Sequence, residues 1–340
     1  MKTIQEFKEA KYGLMLHFGL YSLLEGCYRG KRGPHYAEWI QCKMKIPNSE
    51  MERLAGIFDP IYFDADEICE FALKCGMKYI VITAKHHEGF ALFRSEADGF
   101  NVCKASPFGR DIIKELSEAC KKHGLKLGLY YSQVIDWHEE HGGGYRTDPA
   151  GAAGDSWENA WDFPNREEKD YNICFRKKIL PQIRELMENY GEIFTAWFDM
   201  PLDSTQAHSK EIYELVKELQ PNCLVNSRLG NGVYDYVSLG DNEIPDELPE
   251  EIHEVDQNNI WGFKKSPYGL YESACTLNDS WGYTVAYSNW KSPEQILKNR
   301  QKLERLQINY LINVGLDPLG RIPVQAREIL EQVQRGYLKQ

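Results

Sequence analysis

Eight short β-prone runs alternate with longer amphipathic stretches along nearly the whole chain, and that alternation leaves few folds open. The runs are 12–20 (YGLMLHFGL), 78–85 (KYIVITAK), 125–132 (LKLGLYYS), 192–199 (EIFTAWFD), 222–228 (NCLVNSR), 233–241 (VYDYVSLGD), 271–277 (YESACTL) and 308–315 (INYLINVG). Helical patterns such as ADEICEFALKCG and GRDIIKELSEACKKHG lie between them, each closed by a glycine suited to a helix C-terminus. Strands joined by crossover helices run parallel. Eight such units predict an α/β fold of the (β/α)8-like (TIM) barrel type, with an open doubly wound sheet as the alternative. No composition shift or internal repeat marks a boundary, so 1–340 reads as one domain.

Charge and composition narrow the partners. The formal net charge of -11 disfavours a nucleic-acid backbone or an anionic membrane surface. The start, MKTIQEFKEAKYG, is charged and lacks an apolar core, and no run is long enough to span a bilayer, so the expectation is a soluble cytoplasmic protein. Nine scattered cysteines within apolar patterns fit reduced, buried thiols better than a disulfide framework. Homo-oligomerisation is left open by the sequence.

Polar residues gather where the strands run out, the face on which barrel enzymes keep their chemistry. His17 ends the first run, His86 and His87 follow the second, Tyr130 and Tyr131 end the third, and Asp136 and Trp137 lie just beyond. Asp199 ends the fourth, Arg228 the fifth, Asp241 and Glu243 follow the sixth, Glu272 lies in the seventh, and Trp281 comes after it. Two long segments without core periodicity, 134–165 and 242–268, leave the same face and read as functional loops.

His86 and His87 pose the first choice. Adjacent residues on extended backbone point to opposite sides, so the pair chelates one ion only where the backbone has already turned. No zinc-type cysteine pair, HxH or HExxH motif occurs, and no metal is expected. Each histidine could equally satisfy loop hydrogen bonds. Asp199, between Trp197, Phe198 and Met200, would be costly to bury without a partner or a task, although an aspartate after a strand is often only a cap. Carboxylates converging with aromatic rings suit glycoside cleavage, in which one carboxylate attacks or activates water and the other carries a proton. Trp39, Trp137, Trp197 and Trp281 would stack on sugar faces, and His17, His86, His87 and Tyr131 would hold hydroxyls.

Taken together, GLMLHFGLYS, YAEWI, TAKHHEGFALF, GLYYSQVIDWH, AWFDM, NSRLG, YESACTLNDSWGY and NYLINVGLDPLGRIP resemble the α-L-fucosidases of glycoside hydrolase family 29, in collinear order over nearly the whole chain. The resemblance implies a barrel catalytic domain and a retaining double displacement on a terminal α-L-fucose of an oligosaccharide or small fucoside. It implies Asp199 as nucleophile, and His17, Trp39, His86, His87, Tyr131 and Trp281 around the sugar, with Glu38 beside them. For the general acid/base, Glu243 is the first choice, Glu272 the second and Asp241 the third. No cofactor is implied. Departures from the family pattern are Glu88 for the usual aspartate, Met200 for a glycine and Tyr271 for a tryptophan, and the C-terminal β-sandwich of many relatives is not expected. The rivals are a metal-dependent hydrolase on the same barrel and a fucose-binding protein without catalysis.

Overall fold

Helix ends carry the signals that the sequence suggests. Asp64 and Asp111 turn their carboxylates onto the backbone N–H groups of Glu67 and Lys114, capping the helices that begin at Ala65 and Ile112. Gly76 takes a φ of +77° just past the first of these, a conformation that a side chain would strain, and so turns the chain into the next strand.

The computed structural model describes residues 2–33, 36–142, 157–202, 204–249, 265–286 and 289–339. Parts of the two long loops read from the sequence, 143–156 and 250–264, lie outside the described residues. Apart from a small antiparallel pair, Cys27–Tyr28 with Lys31–Arg32, the eight strands of the main sheet are β1 Tyr12–His17, β2 Tyr79–Lys85, β3 Lys126–Ser132, β4 Thr195–Asp199, β5 Leu224–Val225, β6 Val237–Ser238, β7 Tyr271–Thr276 and β8 Ile308–Gly315. They form one parallel sheet in the order β5-β4-β3-β2-β1-β8-β7-β6. An isolated parallel bridge from Asn226 to Tyr236 joins the two edges, so the sheet closes on itself as a (β/α)8 barrel. All eight expected strands are present, but β5 and β6 are two residues each, and the chain leaves β5 through Asn226 into a 3-10 turn, Ser227–Leu229.

The longer helices are α1 Lys2–Ala10, α2 Ala65–Lys74, α3 Ile112–His123, α4 Leu180–Asn189, α5 Gln206–Leu219, α6 Pro293–Arg305 and α7 Val324–Tyr337, with shorter helices such as Asn48–Ala55 between. Just before α4, residues Phe175–Ile179 widen into a π turn, which relieves the clash that Pro181 would impose on a regular helix. Two apolar layers result. Leu127, Leu129, Tyr131 and Phe198 pack outward with the helices, whereas Met15, Tyr79, Val81, Tyr130, Trp197 and Leu311 fill the barrel. α1 lies across the N-terminal end, with Phe7 against Phe194 and Tyr236 and its carbonyl accepting from Asn309. All nine cysteines are free thiols. Among the described residues no helix is long and apolar enough to cross a membrane.

Candidate active site

Strand parity decides which side chains reach the barrel mouth. In the register of β3 with β4, Tyr130 lies beside Trp197 and Ser132 beside Asp199, while Tyr131 lies beside Phe198 on the other face. Tyr130 therefore points inward, and its hydroxyl donates to Asp199 Oδ2 at 2.8 Å. Tyr131, expected at the sugar, instead faces the helices: its hydroxyl donates to Gln182 at 2.7 Å and Lys85 Nζ lies 4.7 Å from its ring centre. Of this pair it is Tyr130 that meets Asp199. The parity of Leu127, Leu129 and Tyr131 was the signal in the sequence that could have shown it.

Asp199 is 8% exposed at the end of β4. Burial raises its pKa, the Arg228 guanidinium opposes that rise, and the charge of Asp241 adds to it. Arg228 is the connecting group. Its Nη1 lies 3.4 Å from Asp199 Oδ1 and its Nη2 2.6 Å from Asp241 Oδ1, while Nη2 also donates to the Leu239 carbonyl and Nε to Ser238 Oγ. Beneath it lies the Trp197 ring, 4.7 Å away, so guanidinium and indole stack.

The other two carboxylates considered from the sequence are placed differently. Glu243 turns back on its own loop, where Oε2 accepts from the Gly240 N–H at 2.7 Å. Glu272 is fully buried inside the barrel, accepting from Tyr79 at 2.6 Å and from Trp197 Nε1 at 2.9 Å, and burial pushes its pKa up to about 7. It holds the indole under Arg228. Asp241, the third choice, has a side chain 38% exposed and shares Arg228 with Asp199.

Three histidines complete one side. His17 Nδ1 pairs with Asn313 Oδ1 at 2.6 Å, and its ring packs 5.3 Å from Trp281. His86 stacks on Tyr130, and the His86 and His87 ring centres are 3.9 Å apart. His87 Nδ1 pairs with Ser132 Oγ at 2.7 Å, and its ring meets the edge of Trp39. Burial pushes His17 down to about 4 and both His86 and His87 well below the ordinary range, so all three are neutral imidazoles at pH 7. Among the described residues no group of three or more His, Cys, Asp or Glu side chains is arranged to hold a metal ion.

Glu38 and Trp39 enter on the turn Ala37–Trp39, where Glu38 Oε2 accepts from the Gly282 N–H at 2.8 Å and so ties this turn to the Trp281 loop. Burial pushes Glu38 up to about 7. Of the tryptophans expected to stack on sugar, Trp39 and Trp281 lie at the mouth. Trp137 is wholly buried behind Trp39, with its Nε1 donating to the Trp157 carbonyl, and Trp197 forms the floor.

Behind the histidines lies a cluster that the sequence did not reveal. Lys85 and Lys178, both buried, share Asp136 at 3.0 and 2.8 Å, and Lys178 also reaches Asp98. Burial opposes the Asp136 charge, but the two lysines outweigh it and hold the carboxyl well below the usual range. Lys178 is carried by the π turn, and Lys85 directly precedes His86. Asp136→Ala would leave the buried Lys85 ammonium without an ion partner, with Lys178 keeping only Asp98, and is expected to cost about 3 to 5 kcal/mol of stability. The check is the urea midpoint. A shift worth less than about 1 kcal/mol would show that the lysines find other partners.

A sequence profile described as Alpha-L-fucosidase matches residues 1–339. The chain belongs to the α-L-fucosidase family. The α-L-fucosidase AlfC from Lactobacillus casei, solved with α-L-fucose product, is 53% identical and superimposes with a TM-score of 0.93 over 100% of this chain and 99% of that one. An α-L-fucosidase from Vibrio sp. strain EJY3 is 32% identical, with a TM-score of 0.85 over 99% of this chain and 55% of that one. Human plasma α-L-fucosidase is 33% identical over 97% of this chain, which spans 60% of the human protein's length. Within this α-L-fucosidase family chain, the strand ends bring Asp199, Arg228, Asp241, Tyr130, His17, His86, His87, Trp39 and Trp281 together, whereas Tyr131, Trp137, Glu243 and Glu272 hydrogen-bond elsewhere, to Gln182, Trp157, Gly240 and Tyr79.

Proposed function

We propose that this chain is a retaining, exo-acting α-L-fucosidase. The observation that carries the reading is the single guanidinium of Arg228 touching both Asp199 and Asp241, beside a pocket of neutral histidines and tryptophan. Retaining glycosidases set their two carboxyl groups roughly 5–5.5 Å apart, and inverting ones roughly 6.5–9.5 Å to admit a water. A bridge made by one guanidinium favours the shorter spacing.

In this reading Asp199 attacks the anomeric carbon while Asp241 gives its proton to the departing glycosidic oxygen. A covalent fucosyl-enzyme forms, and Asp241 then removes a proton from the water that opens it. Asp241, with its partly exposed side chain, takes the role expected first of Glu243. Tyr130 and Arg228 hold the Asp199 carboxylate in place for attack. Neutral imidazoles donate and accept with sugar hydroxyls without the cost of burying a charge. AlfC has been solved with Fuca(1,6)GlcNAc and with 4-nitrophenyl-a-L-fucopyranoside, which supports a fucosylated oligosaccharide or small fucoside as the substrate here.

The test is the anomer released first from 4-nitrophenyl α-L-fucoside, followed by proton NMR before mutarotation. α-L-Fucose is expected. β-L-Fucose as the first product would replace the double displacement with a single inverting one.

A further inference from the structure

Two buried polar atoms face each other behind the sugar pocket without a partner. They are His86 Nδ1 and Glu88 Oε2, 3.8 Å apart, and both side chains are almost completely inaccessible. Buried polar groups in folded proteins are nearly always satisfied, so a facing pair of orphans marks a contact with a purpose. Shortening this separation by about 1 Å would bring the two atoms to hydrogen-bond length.

The surroundings fix the glutamate. Glu88 Oε1 accepts the Leu20 N–H at 3.1 Å, and Gly19 leaves the space, since a Cβ there would collide with that oxygen. The charged and titratable groups that bear on the pair are Lys85, Asp136, His17, His87, Tyr21 and Tyr130, whose ring stacks on His86. Lys85 is already paired with Asp136. Burial raises Glu88 to about 8 and pushes His86 well below the ordinary histidine range. Near pH 7 the pair is therefore a neutral carboxyl beside a neutral imidazole, with one proton to share between Oε2 and Nδ1.

We propose that Glu88 is a positioning residue whose protonated Oε2 donates to His86 Nδ1, fixing the tautomer in which Nε2–H serves the sugar pocket. With Oε1 engaged as an acceptor of the Leu20 N–H, the carboxyl proton sits on Oε2. Nδ1 then acts as acceptor, and Nε2, which forms no hydrogen bond among the described residues, carries the imidazole hydrogen. The sign of the pH dependence follows. A carboxyl raised to about 8 keeps its proton below that pH and loses it above. Once it is ionised, the carboxylate requires a hydrogen on Nδ1, and Nε2 turns from donor to acceptor, so a fucose hydroxyl that accepts from it is lost.

The inference rests on reading the pocket as a fucose site, and the two are separable. Nitrogen-15 NMR of histidine-labelled protein, with the His86 signal assigned from a His86→Gln sample, reads the tautomer without any sugar. The expected result is hydrogen on Nε2 at pH 7 and on Nδ1 above pH 8. Fucose inhibition of the wild-type protein should weaken by about tenfold across the same interval. Glu88→Gln offers an amide donor at every pH and should abolish that alkaline loss, whereas Glu88→Ala should leave His86 in a mixture of tautomers. Hydrogen on Nδ1 at pH 7, or an unchanged alkaline limb in Glu88→Gln, overturns the proposal. If fucose does not inhibit the wild-type protein at any pH, the fucose-site reading falls, while the NMR result still decides the Glu88 contact.

Discussion

Asp199→Ala is expected to lower turnover of 4-nitrophenyl α-L-fucoside by at least about 10^4-fold, the scale on which removal of an enzyme nucleophile is felt. The fold should survive. Asp199 lies at a strand end, and its loss removes a buried charge while Arg228 keeps Asp241, the Leu239 carbonyl and Ser238 as partners. Sugar binding should persist, because the histidines and tryptophans at the mouth do not depend on this carboxylate. Added azide fits the vacated space and attacks the substrate from the same face, so the product should be β-L-fucosyl azide, inverted relative to the substrate. Turnover within tenfold of the wild-type protein would remove Asp199 from the role of nucleophile.

Much of this was legible in the sequence because strand ends and helix caps are local signals. Eight apolar runs with interposed helices gave the barrel, and a carboxylate directly after a buried strand pointed to Asp199. Side-chain direction was carried only by the alternation along each strand, which residue type alone does not convey. Tyr130 and Tyr131 differ by one position, and the parity shared by Leu127, Leu129 and Tyr131, completed by the pairing with β4, places one at Asp199 and the other against Gln182. The same holds for Trp197, which by type suits a sugar platform. Its Nε1 is instead taken by Glu272, making the two a buried floor under Arg228.

Loops were the harder part. Glu243 and Asp241 stand two residues apart after β6, where no periodicity tells one orientation from another. Their fates are set by long-range contacts. Asn242 between them is held by the Thr276 N–H and by Lys291, which fixes the turn so that Asp241 meets Arg228 and Glu243 folds back to Gly240. The buried Lys85–Asp136–Lys178 group was equally invisible, since its members come from three separate segments and two of them look like ordinary surface lysines.

Asp241→Ala distinguishes the loop carboxylates. Loss of a general acid/base is expected to cost about 10^2 to 10^4-fold in turnover. The loss should be larger for a sugar leaving group, which needs the proton, than for 4-nitrophenolate, which does not. With the aryl fucoside the first step then proceeds and the fucosyl-enzyme waits for a base. Azide needs none, so it should restore turnover and give α-L-fucosyl azide, the configuration opposite to that from Asp199→Ala. That contrast follows from which face is open: the alanine at 199 lets azide in where the nucleophile stood, and the alanine at 241 lets it in where the leaving group departed. Glu243→Ala, which removes only a contact to its own loop, should show neither a large loss nor azide rescue. Rescue with retained configuration in Glu243→Ala, and none in Asp241→Ala, would return the acid/base role to Glu243.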